Sequence, residues 1–292
     1  MSEHLPPTEE RAVQSAGLDL LETRDLVDLL VRDQGDAVAA VRAQSATLAR
    51  VVESVVERLR RGGRIHYVGA GTSGRLGVLD ASEMPPTFGT PEELVCAHIA
   101  GGEQALRRAV EGAEDDAEEG ARAMHEHVAP DDVVVGISAS GGARYVVAAL
   151  EHARAIGALT VAITSSDASA LVSAALEAIV LPTGAEVLSG STRLKAGTAQ
   201  KIALNTLSTA IMVRMGKVYD NLMIDVVATN EKLRARAQRL VRTLTGADDA
   251  RVRAALENAG GSAKVAVVML ARSVDAEQAR VLLRSETLRS LL

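Results

Sequence analysis

The chain has 292 residues, of which 47% are hydrophobic and only 1% aromatic, with no Trp. This length allows one large domain or a main domain with an appendage, and the scarcity of aromatic rings argues against a protein that stacks nucleobases. The formal net charge is −6 and the basic residues are interspersed with acidic ones, so we expect no nucleic-acid partner.

Several further classes of protein are disfavoured by the sequence. Cys96 is the single cysteine, which rules out a disulfide within the chain and nearly rules out a cysteine-based metal site. His125 and His127 are two residues apart and would point in different directions on a helix, so we expect no metal site. Without a membrane-length apolar stretch or a secretion signal near residues 1–7, the chain is predicted to be soluble and cytoplasmic, with no membrane partner.

Periodicity predicts the secondary structure in chain order. Apolar residues recur at helical spacing from Thr23 onward and again over 36–59. Gly62-Gly63 ends this second helix. Short β-branched runs alternate with helical stretches from there on. The strands are predicted at 64–68, 94–100, 132–137, 159–164 and 178–181. Helices are predicted between them, and the first of these stops at Pro85-Pro86. A long helix is predicted after the last strand, at 195–215. After residue 229 only helices are predicted, with breaks at Gly246 and Gly260-Gly261.

This alternation predicts an α/β protein. Strands separated by helices form parallel sheets through right-handed crossovers, so we expect a doubly wound sheet of five parallel strands with flanking helices. The predicted domains are residues 1–229, which contain the sheet and the N-terminal helices, and residues 230–292, a small helical subdomain.

Three hydroxyl-rich loops lie at predicted strand ends or helix starts. Ligands of open α/β sheets bind at the carboxyl ends of the strands, where helix N-termini offer unpaired N–H groups and glycine lets the backbone approach closely. For each loop alone a helix cap is the favoured interpretation, but together the loops predict a phosphate site. Its expected residues are Gly71, Thr72, Ser73, Ser138, Ser140, Gly141, Ser189, Ser191 and Thr192.

The first loop also resembles a dinucleotide fingerprint, because Gly69, Gly71 and Gly74 follow a strand. However, the second strand ends in Ala100-Gly101-Gly102, where such a fold places an acid for the ribose. The sequence therefore does not favour NAD binding.

Longer motifs resemble those of the N-acetylmuramic acid 6-phosphate etherases. They follow one another in the family's order over most of the chain and are compositionally unusual. They read VGAGTSGRLG at 68–77, DASEMPPTFG at 80–89, VEGAED at 110–115, GSTRLKAGTAQK at 190–201, KVY at 217–219 and NLM at 221–223. The chain departs from the family at Ala12, where Asn is usual, and at Ala143-Arg144, where Thr-Pro is usual.

The resemblance implies the fold of the sugar isomerase (SIS) family, a homodimer and no cofactor. It further implies a small sugar-phosphate substrate in cell-wall amino sugar recycling, whose D-lactyl ether is cleaved to give N-acetylglucosamine 6-phosphate and D-lactate. Glu83 and Glu114 match the family's catalytic acid and base. Arg193 and Lys195 are candidates for balancing the charge of the substrate, although Lys195 could instead be a surface residue at a helix start.

The implied reaction needs two proton-transfer groups and no redox cofactor. The C1 aldehyde of the ring-opened sugar acidifies the C2 proton, a base removes it, and an acid supports departure of lactate from C3. Glu83 is expected near a helix C-terminus, where the dipole raises a carboxyl pKa and suits an acid. From the residues alone, either glutamate could be a solvated surface acid.

Two other functions stay open at this point. The first is a non-catalytic sugar-phosphate sensor similar to the glucokinase regulatory protein, which would need the phosphate loops but no pair of carboxylates. The second is an aldose–ketose isomerase of the same fold, which would remove the C2 proton but needs no acid at C3.

Overall fold

The computed structural model describes residues 6–225 and 231–292. The chain forms two compact units, the first made of Met1–Ser82 and Glu92–Thr209, the second of Glu83–Pro91 and Ala210–Leu292. The predicted domain boundary between residues 229 and 230 lies outside the described residues.

A five-stranded sheet forms the centre of the first unit. All five strands are parallel and lie in the order β2-β1-β3-β4-β5, which confirms the predicted fold class. Each predicted strand is found within one or two residues of its expected ends, because β-branched runs lie between glycine and hydroxyl-rich turns. The strands are β1 Ile65–Gly69, β2 Val95–Ile99, β3 Val133–Ile137, β4 Leu159–Thr164 and β5 Glu177–Val180.

Helices connect these strands and precede them. Three single 3-10 turns at Pro7–Glu9, Val13–Ser15 and Leu18–Leu20 lead into the first helix. Another 3-10 turn at Ala113–Asp115 follows α5. The helices up to the end of the sheet region are α1 Thr23–Asp33, α2 Gly35–Ala43, α3 Ser45–Arg60, α4 Gly71–Phe88, α5 Gln104–Arg107, α6 Ala117–His127, α7 Arg144–Ile156, α8 Ala170–Ala174 and α9 Lys195–Arg214.

The sheet is covered on both faces. On one face, Val68, Val134 and Ala162 pack with residues of α6, α7 and α8 in a single apolar cluster. On the other face, α4 lies so close that a Cβ on Gly77 would be 3.0 Å from the Cβ of Tyr67. Because parallel strands are buried on both faces, most residues of β1, β3 and β4 are apolar.

Two predicted helices differ from the observed ones. The predicted helix 36–59 is two helices, α2 and α3, separated at Gln44, which has φ −95° and ψ 12°. The prediction that Pro85-Pro86 stops the helix is wrong, because α4 continues through both prolines to Phe88. Proline has no N–H to donate to the carbonyl four residues earlier, so the last turn of α4 lacks some helical hydrogen bonds but remains helical. The Gly89 N–H still donates to the Pro85 carbonyl at 3.0 Å.

The second unit combines a hairpin with helices. An antiparallel hairpin of β6 Val218–Tyr219 and β7 Leu222–Met223 turns at Asp220, whose φ is +53°. No pattern in the sequence predicts this hairpin. Five helices follow and bury a separate aliphatic core that includes Val241, Val252 and Ala266. They are α10 Glu231–Thr245, α11 Asp249–Asn258, α12 Ala263–Arg272, α13 Ala276–Ser285 and α14 Leu288–Leu291. Over the described residues, no helix combines the length and the hydropathy that crossing a bilayer requires.

Candidate active site

The first predicted phosphate loop is a tight turn from β1 into α4. A Cβ on Gly74 would lie 2.7 Å from the Gly69 carbonyl oxygen, and a Cβ on Gly69 would lie 2.6 Å from the Gly74 nitrogen. Only glycine allows this approach. The first turn of α4, which contains Thr72 and Ser73, therefore starts directly at the carboxyl end of the strand, with the unpaired N–H groups that every helix start presents.

The Ser73 side chain in this turn is buried and faces another helix. Its hydroxyl donates to Oε1 of Gln200 on α9 at 2.9 Å. The Gln200 side chain is also buried, and its Nε2 has no hydrogen-bond partner among the described residues. Ser73 thus connects the start of α4 to α9 in addition to its predicted place in a phosphate loop.

The second predicted loop follows β3 and is organised by its own serines. Gly141 N–H donates to Ser138 Oγ at 3.1 Å, and Gly142 N–H donates to Ser140 Oγ at 3.3 Å. Gly141 has φ +73°, and a Cβ there would overlap the Ser169 side chain. The helix α7 then begins with Ala143 as N-cap, which offers no side-chain cap. The N–H groups at the start of α7 are therefore left available for an anion.

A cavity of about 450 Å³ opens on this second loop. Ser140, Gly141 and Gly142 form one wall, and residues 166–170, which follow β4, form another. Pro6, Pro7 and Glu10 from the N-terminal segment complete the lining. The cavity thus lies at the carboxyl ends of two neighbouring parallel strands, where ligands bind in open α/β sheets.

The Ser166–Ala170 segment was not among the predicted phosphate residues. Ser169 donates to the Ser166 carbonyl at 3.0 Å and accepts from Val172 N–H, so it caps α8 as well as lining the cavity. The signal in the sequence was the pair Ser165-Ser166 directly after a strand adjacent to β3. It could have been used in the same way as the other loops.

The third predicted loop is occupied by groups of the chain itself. Ser189 donates to the carbonyl oxygens of Glu9 and Glu10 at 3.2 and 3.3 Å, and Gly190 N–H donates to the Thr8 carbonyl. The start of α9 is capped by the fully buried Glu186, whose carboxylate accepts from the Lys195 and Ala196 N–H groups at 3.1 and 2.9 Å. Burial raises the pKa of Glu186, and these two N–H groups partly oppose that effect. Ser191 and Thr192 are half-buried in the same loop.

Lys195 is buried, so its interpretation as a surface residue is wrong. Its Nζ donates to Asp33 Oδ1 at 2.9 Å and to Asp36 Oδ2 at 3.2 Å. Burial alone lowers the pKa of Lys195, but the hydrogen bond and charge of Asp33, followed by those of Asp36, raise it overall. An ammonium group has three donors, and these partners use two of them. The N-terminal helices α1 and α2 are thereby attached to the start of α9.

The two predicted catalytic carboxylates are both exposed. Glu83 lies in the C-terminal half of α4, and Glu114 lies in the 3-10 turn that follows Gly112, whose φ is +74°. Among the described residues, neither carboxylate has a hydrogen bond or an ion pair. Both side chains are therefore free to meet a substrate, which a catalytic acid and base require.

A polar cluster lies at the opposite, amino-terminal edge of the sheet. Asp132 accepts hydrogen bonds from Arg64 and His66, and His66 in turn lies 3.0 Å from Nε2 of His98. Burial, followed by the charges of His66 and His127, lowers the pKa of His98 to about 4. His66 is 1% exposed and is therefore a packed core residue. In the described part of the chain, no group of three or more His, Cys, Asp or Glu side chains could hold a metal ion.

The fold has relatives among solved structures. A phosphoheptose isomerase from Francisella tularensis matches 65% of this chain and 98% of its own length, with a TM-score of 0.51 and 18% identity. A protein from Bacteroides fragilis described as a phosphosugar isomerase involved in capsule formation matches 68% of this chain and 95% of its own length, with a TM-score of 0.52 and 20% identity. At these identities the matches establish the fold alone.

Sequence comparison is more specific. A profile of the glucokinase regulatory protein N-terminal SIS domain matches residues 47–154, and a SIS domain profile matches residues 113–210. The N-acetylmuramic acid 6-phosphate etherase of Symbiobacterium thermophilum is 53% identical over 91% of this chain and 89% of its own length. The enzyme of the same name from Deinococcus radiodurans is 52% identical over 93% of this chain and 90% of its own. The chain therefore belongs to the N-acetylmuramic acid 6-phosphate etherase family.

Proposed function

We propose that this protein cleaves the D-lactyl ether of N-acetylmuramic acid 6-phosphate, using Glu83 as the acid and Glu114 as the base. With water, the products are N-acetylglucosamine 6-phosphate and D-lactate. The observation that carries the activity is 53% identity to an enzyme of that name over nearly the whole chain. The motifs that contain both glutamates support the assignment of the two roles.

The substrate phosphate is proposed to bind in the cavity formed by the loop after β3. The uncapped start of α7 offers N–H groups and the positive end of the helix dipole. Ser138 and Ser140 hold the loop in shape through Gly141 and Gly142. By contrast, the start of α9 is already neutralised by Glu186, so the loop before it is the weaker candidate for a phosphate contact.

The N–H groups around Thr72 and Ser73 are the second proposed phosphate contact. Gly71 leaves this turn open to a ligand, because nothing lies within 4 Å of where its Cβ would be. In this proposal Gly71, Thr72 and Ser73 bind the substrate from one helix start, and Ser138, Ser140 and Gly141 from another. Ser189, Ser191, Thr192 and Lys195 complete the third loop, whose role is mainly to shape the site.

The chemistry assigns one proton transfer to each carboxyl group. The open-chain form of the sugar carries an aldehyde at C1, which acidifies the proton on C2. Glu114 as carboxylate takes this proton, and Glu83 as carboxylic acid gives a proton to the ether oxygen as its bond to C3 breaks and lactate leaves. In the second half, Glu83 removes a proton from water that adds to C3, and Glu114 returns a proton to C2. Both carboxyls end in their starting protonation states.

Release of free lactate tests this function. The purified protein incubated with N-acetylmuramic acid 6-phosphate is expected to form lactate, while Glu83→Gln and Glu114→Gln, each folded as judged by circular dichroism, are expected to form none. Wild-type protein that produced no lactate would leave a sugar-phosphate sensor or an isomerase as the function. Full activity in either variant would refute its assigned role.

The protein is further proposed to be a cytoplasmic homodimer that acts in the recycling of cell-wall amino sugars. Large apolar side chains in the N-terminal region support self-association, because Val13, Leu20 and Val31 are 88%, 83% and 67% exposed. A contiguous apolar surface commonly marks a protein interface, and the dimer is proposed to bury these side chains. Light scattering coupled to gel filtration should give twice the chain mass, and Val31→Lys should shift it toward the monomer. A monomeric wild-type protein would contradict this part of the proposal.

A further inference from the structure

The third hydroxyl-rich loop holds the N-terminal segment of the chain. Ser189 Oγ donates to the Glu9 and Glu10 carbonyl oxygens at 3.2 and 3.3 Å, and Gly190 N–H donates to the Thr8 carbonyl oxygen at 3.2 Å. We call Thr8, Glu9, Glu10, Ser189 and Gly190 the N-terminal latch. Thr8 is 0% exposed, so the latch is packed into the first unit and fixes the course of the segment that precedes residue 11.

The segment held in this way is a wall of the cavity to which the substrate phosphate is assigned. Pro6, Pro7 and Glu10 line that cavity together with residues 166–170 and the loop after β3. Glu10 and Asp167 are ionisable and exposed, and no Lys, Arg or His is among the described residues of the lining. Within the described chain, neither carboxylate forms a hydrogen bond or an ion pair. The cavity therefore presents the N–H groups of the α7 start on one side and uncommitted carboxylate oxygens elsewhere.

These two kinds of group suit two different parts of one ligand. N–H groups at a helix start bind a phosphate, whereas a carboxylate can only accept hydrogen bonds and repels a phosphate dianion. A carboxylate in a phosphate cavity is therefore favourable only when the ligand also brings a donor. The hydroxyl groups of a sugar are such donors, and a hydrogen bond to an ionised acceptor is roughly twice as strong as one between neutral groups. The lining thus matches the phosphate ester of a polyhydroxylated compound better than a phosphate alone.

We propose that Glu10 is a specificity-determining residue, which accepts a hydrogen bond from a hydroxyl group of the bound sugar and so selects sugar phosphates over phosphate esters without hydroxyl groups. Ser189 is then a positioning residue, because the latch keeps the backbone of Glu10 at the cavity. Asp167 offers the same chemistry from the loop after β4, but only Glu10 has a position fixed by the latch. This role rests on the proposed function, since it concerns the ligand of the same cavity. It also gives the third loop a task that needs no contact with the phosphate.

Calorimetric binding of two ligands tests this selection. N-acetylglucosamine 6-phosphate brings a phosphate with hydroxyl groups, while ethyl phosphate brings the phosphate alone, and at about pH 8 both phosphates are dianions. Glu10→Gln keeps the size of the side chain and removes its charge. The relief of charge repulsion is common to both ligands, so it cancels in the ratio of their Kd values. Because the hydrogen bond from the sugar hydroxyl becomes a neutral one, we expect the preference for the sugar phosphate to fall about tenfold.

Glu9→Gln is the matched control. Glu9 is the neighbouring acid, is also exposed and belongs to the same latch, but it does not line the cavity. Its Oε2 instead lies 2.9 Å from where a Cβ on Gly190 would be. The change in net charge equals that of Glu10→Gln, so the preference should stay within about twofold of the wild-type value, because an exposed charge away from the ligand is screened. A preference that is absent in the wild type, unchanged in Glu10→Gln, or lowered as far in Glu9→Gln would overturn the role of Glu10.

The role of Ser189 is tested by its dependence on Glu10. Ser189→Ala removes the hydroxyl that holds the Glu9 and Glu10 carbonyls, so the preference should fall about threefold, as for one exposed neutral hydrogen bond, while the Kd of ethyl phosphate is unchanged. In the double variant Ser189→Ala, Glu10→Gln the preference should be no lower than in Glu10→Gln alone, because a positioning residue acts through the residue that it positions. An unchanged preference in Ser189→Ala, additive losses in the double variant, or an equal loss of ethyl phosphate affinity would overturn the role of the latch.

Failure of the proposed function would be recognised separately. Both ligands lack the lactyl ether, so their binding does not depend on its cleavage. A wild-type protein that shows the expected preference but releases no lactate from N-acetylmuramic acid 6-phosphate would refute the etherase activity and leave the role of Glu10 standing. Lactate release by a protein whose preference does not respond to Glu10→Gln would refute the role of Glu10 alone. Glu10 and Ser189 are both exposed, so the variants should fold, as circular dichroism would verify.

Discussion

The buried ion pair of Lys195 gives a prediction whose size follows from the structure. Lys195→Met removes the ammonium group and keeps most of the side-chain volume. The Lys195 side chain is 2% exposed and that of Asp33 is 4% exposed, whereas that of Asp36 is 63% exposed. The variant therefore leaves the Asp33 carboxylate buried without a counter-charge, and Asp33 Oδ2 already has no partner among the described residues.

Breaking a buried pair by removing one partner typically costs about 3–5 kcal/mol, and the exposed Asp36 adds less than about 1 kcal/mol. We expect the free energy of unfolding of Lys195→Met to fall by about 3–5 kcal/mol in urea titrations followed by circular dichroism at pH 7. Adding Asp33→Asn removes the unpaired charge and should restore at least about 2 kcal/mol. Arg32→Met is the control, because the Arg32–Asp28 pair is 69% and 63% exposed and should contribute less than about 1 kcal/mol.

The outcome also separates two roles for Lys195. If its ammonium group only attaches α1 and α2 to α9, the Asp33→Asn, Lys195→Met double variant should recover stability and keep a KM close to the wild-type value. If it also balances the charge of the substrate, KM should stay raised in the restabilised double variant. Unfolding of Lys195→Met at the wild-type urea midpoint would refute the reasoning, since a buried charge would then have been left alone at no cost.

Three further predictions concern the histidine cluster and the loop after β3. The pKa of His98 is lowered from 6.5 to about 4 in the folded protein, so the unfolded chain binds more protons between these pH values. The free energy of unfolding should therefore be intact above pH 6.5 and fall by up to about 3 kcal/mol as the pH drops to 4. In urea titrations, the stability of His98→Gln should depend less steeply on pH. An unchanged pH profile would contradict this. Gly141→Ala should lower the free energy of unfolding by at least about 1–2 kcal/mol, because alanine is strained at this left-handed φ. It should also lose activity, because the new Cβ would meet the Ser169 side chain. A thermal midpoint and an activity equal to those of the wild type would refute the close approach of Gly141 to Ser169. Ser140→Ala should raise KM about tenfold, the effect of one hydrogen bond near a charged phosphate, while kcat changes little; an unaltered KM would place the phosphate elsewhere.

Much of the sheet could be predicted from the sequence because its signals are local. Runs such as those at 132–137 and 159–164 are apolar, β-branched and ended by hydroxyl or glycine residues, so their ends were found to within a residue. Pro85-Pro86 misled the prediction because proline in the last turn of a helix removes bonds without forcing the chain out of the helix. The hairpin at 218–223 is too short to give any periodicity.

The candidate site depends on contacts that local patterns cannot reveal. Lys195 meets Asp33 across 162 residues, and Asp80 meets Ser208 across 128, so neither buried group could be distinguished from a solvated surface charge. Glu114 lies among several other acids, and family motifs rather than physical reasoning selected it. Gln200 and Glu186 stand in or next to a recognised motif, but only the fold shows that one holds Ser73 and the other caps α9.

The division of labour between the two glutamates is tested most directly by exchange of the C2 proton in deuterium oxide. Glu83→Gln, incubated with N-acetylmuramic acid 6-phosphate, should exchange the C2 proton of the substrate for deuterium, seen by NMR, without releasing lactate, because the base is intact and the acid is missing. Glu114→Gln should do neither. Exchange by Glu114→Gln, or its loss in Glu83→Gln with retention in Glu114→Gln, would contradict the assignment of base and acid.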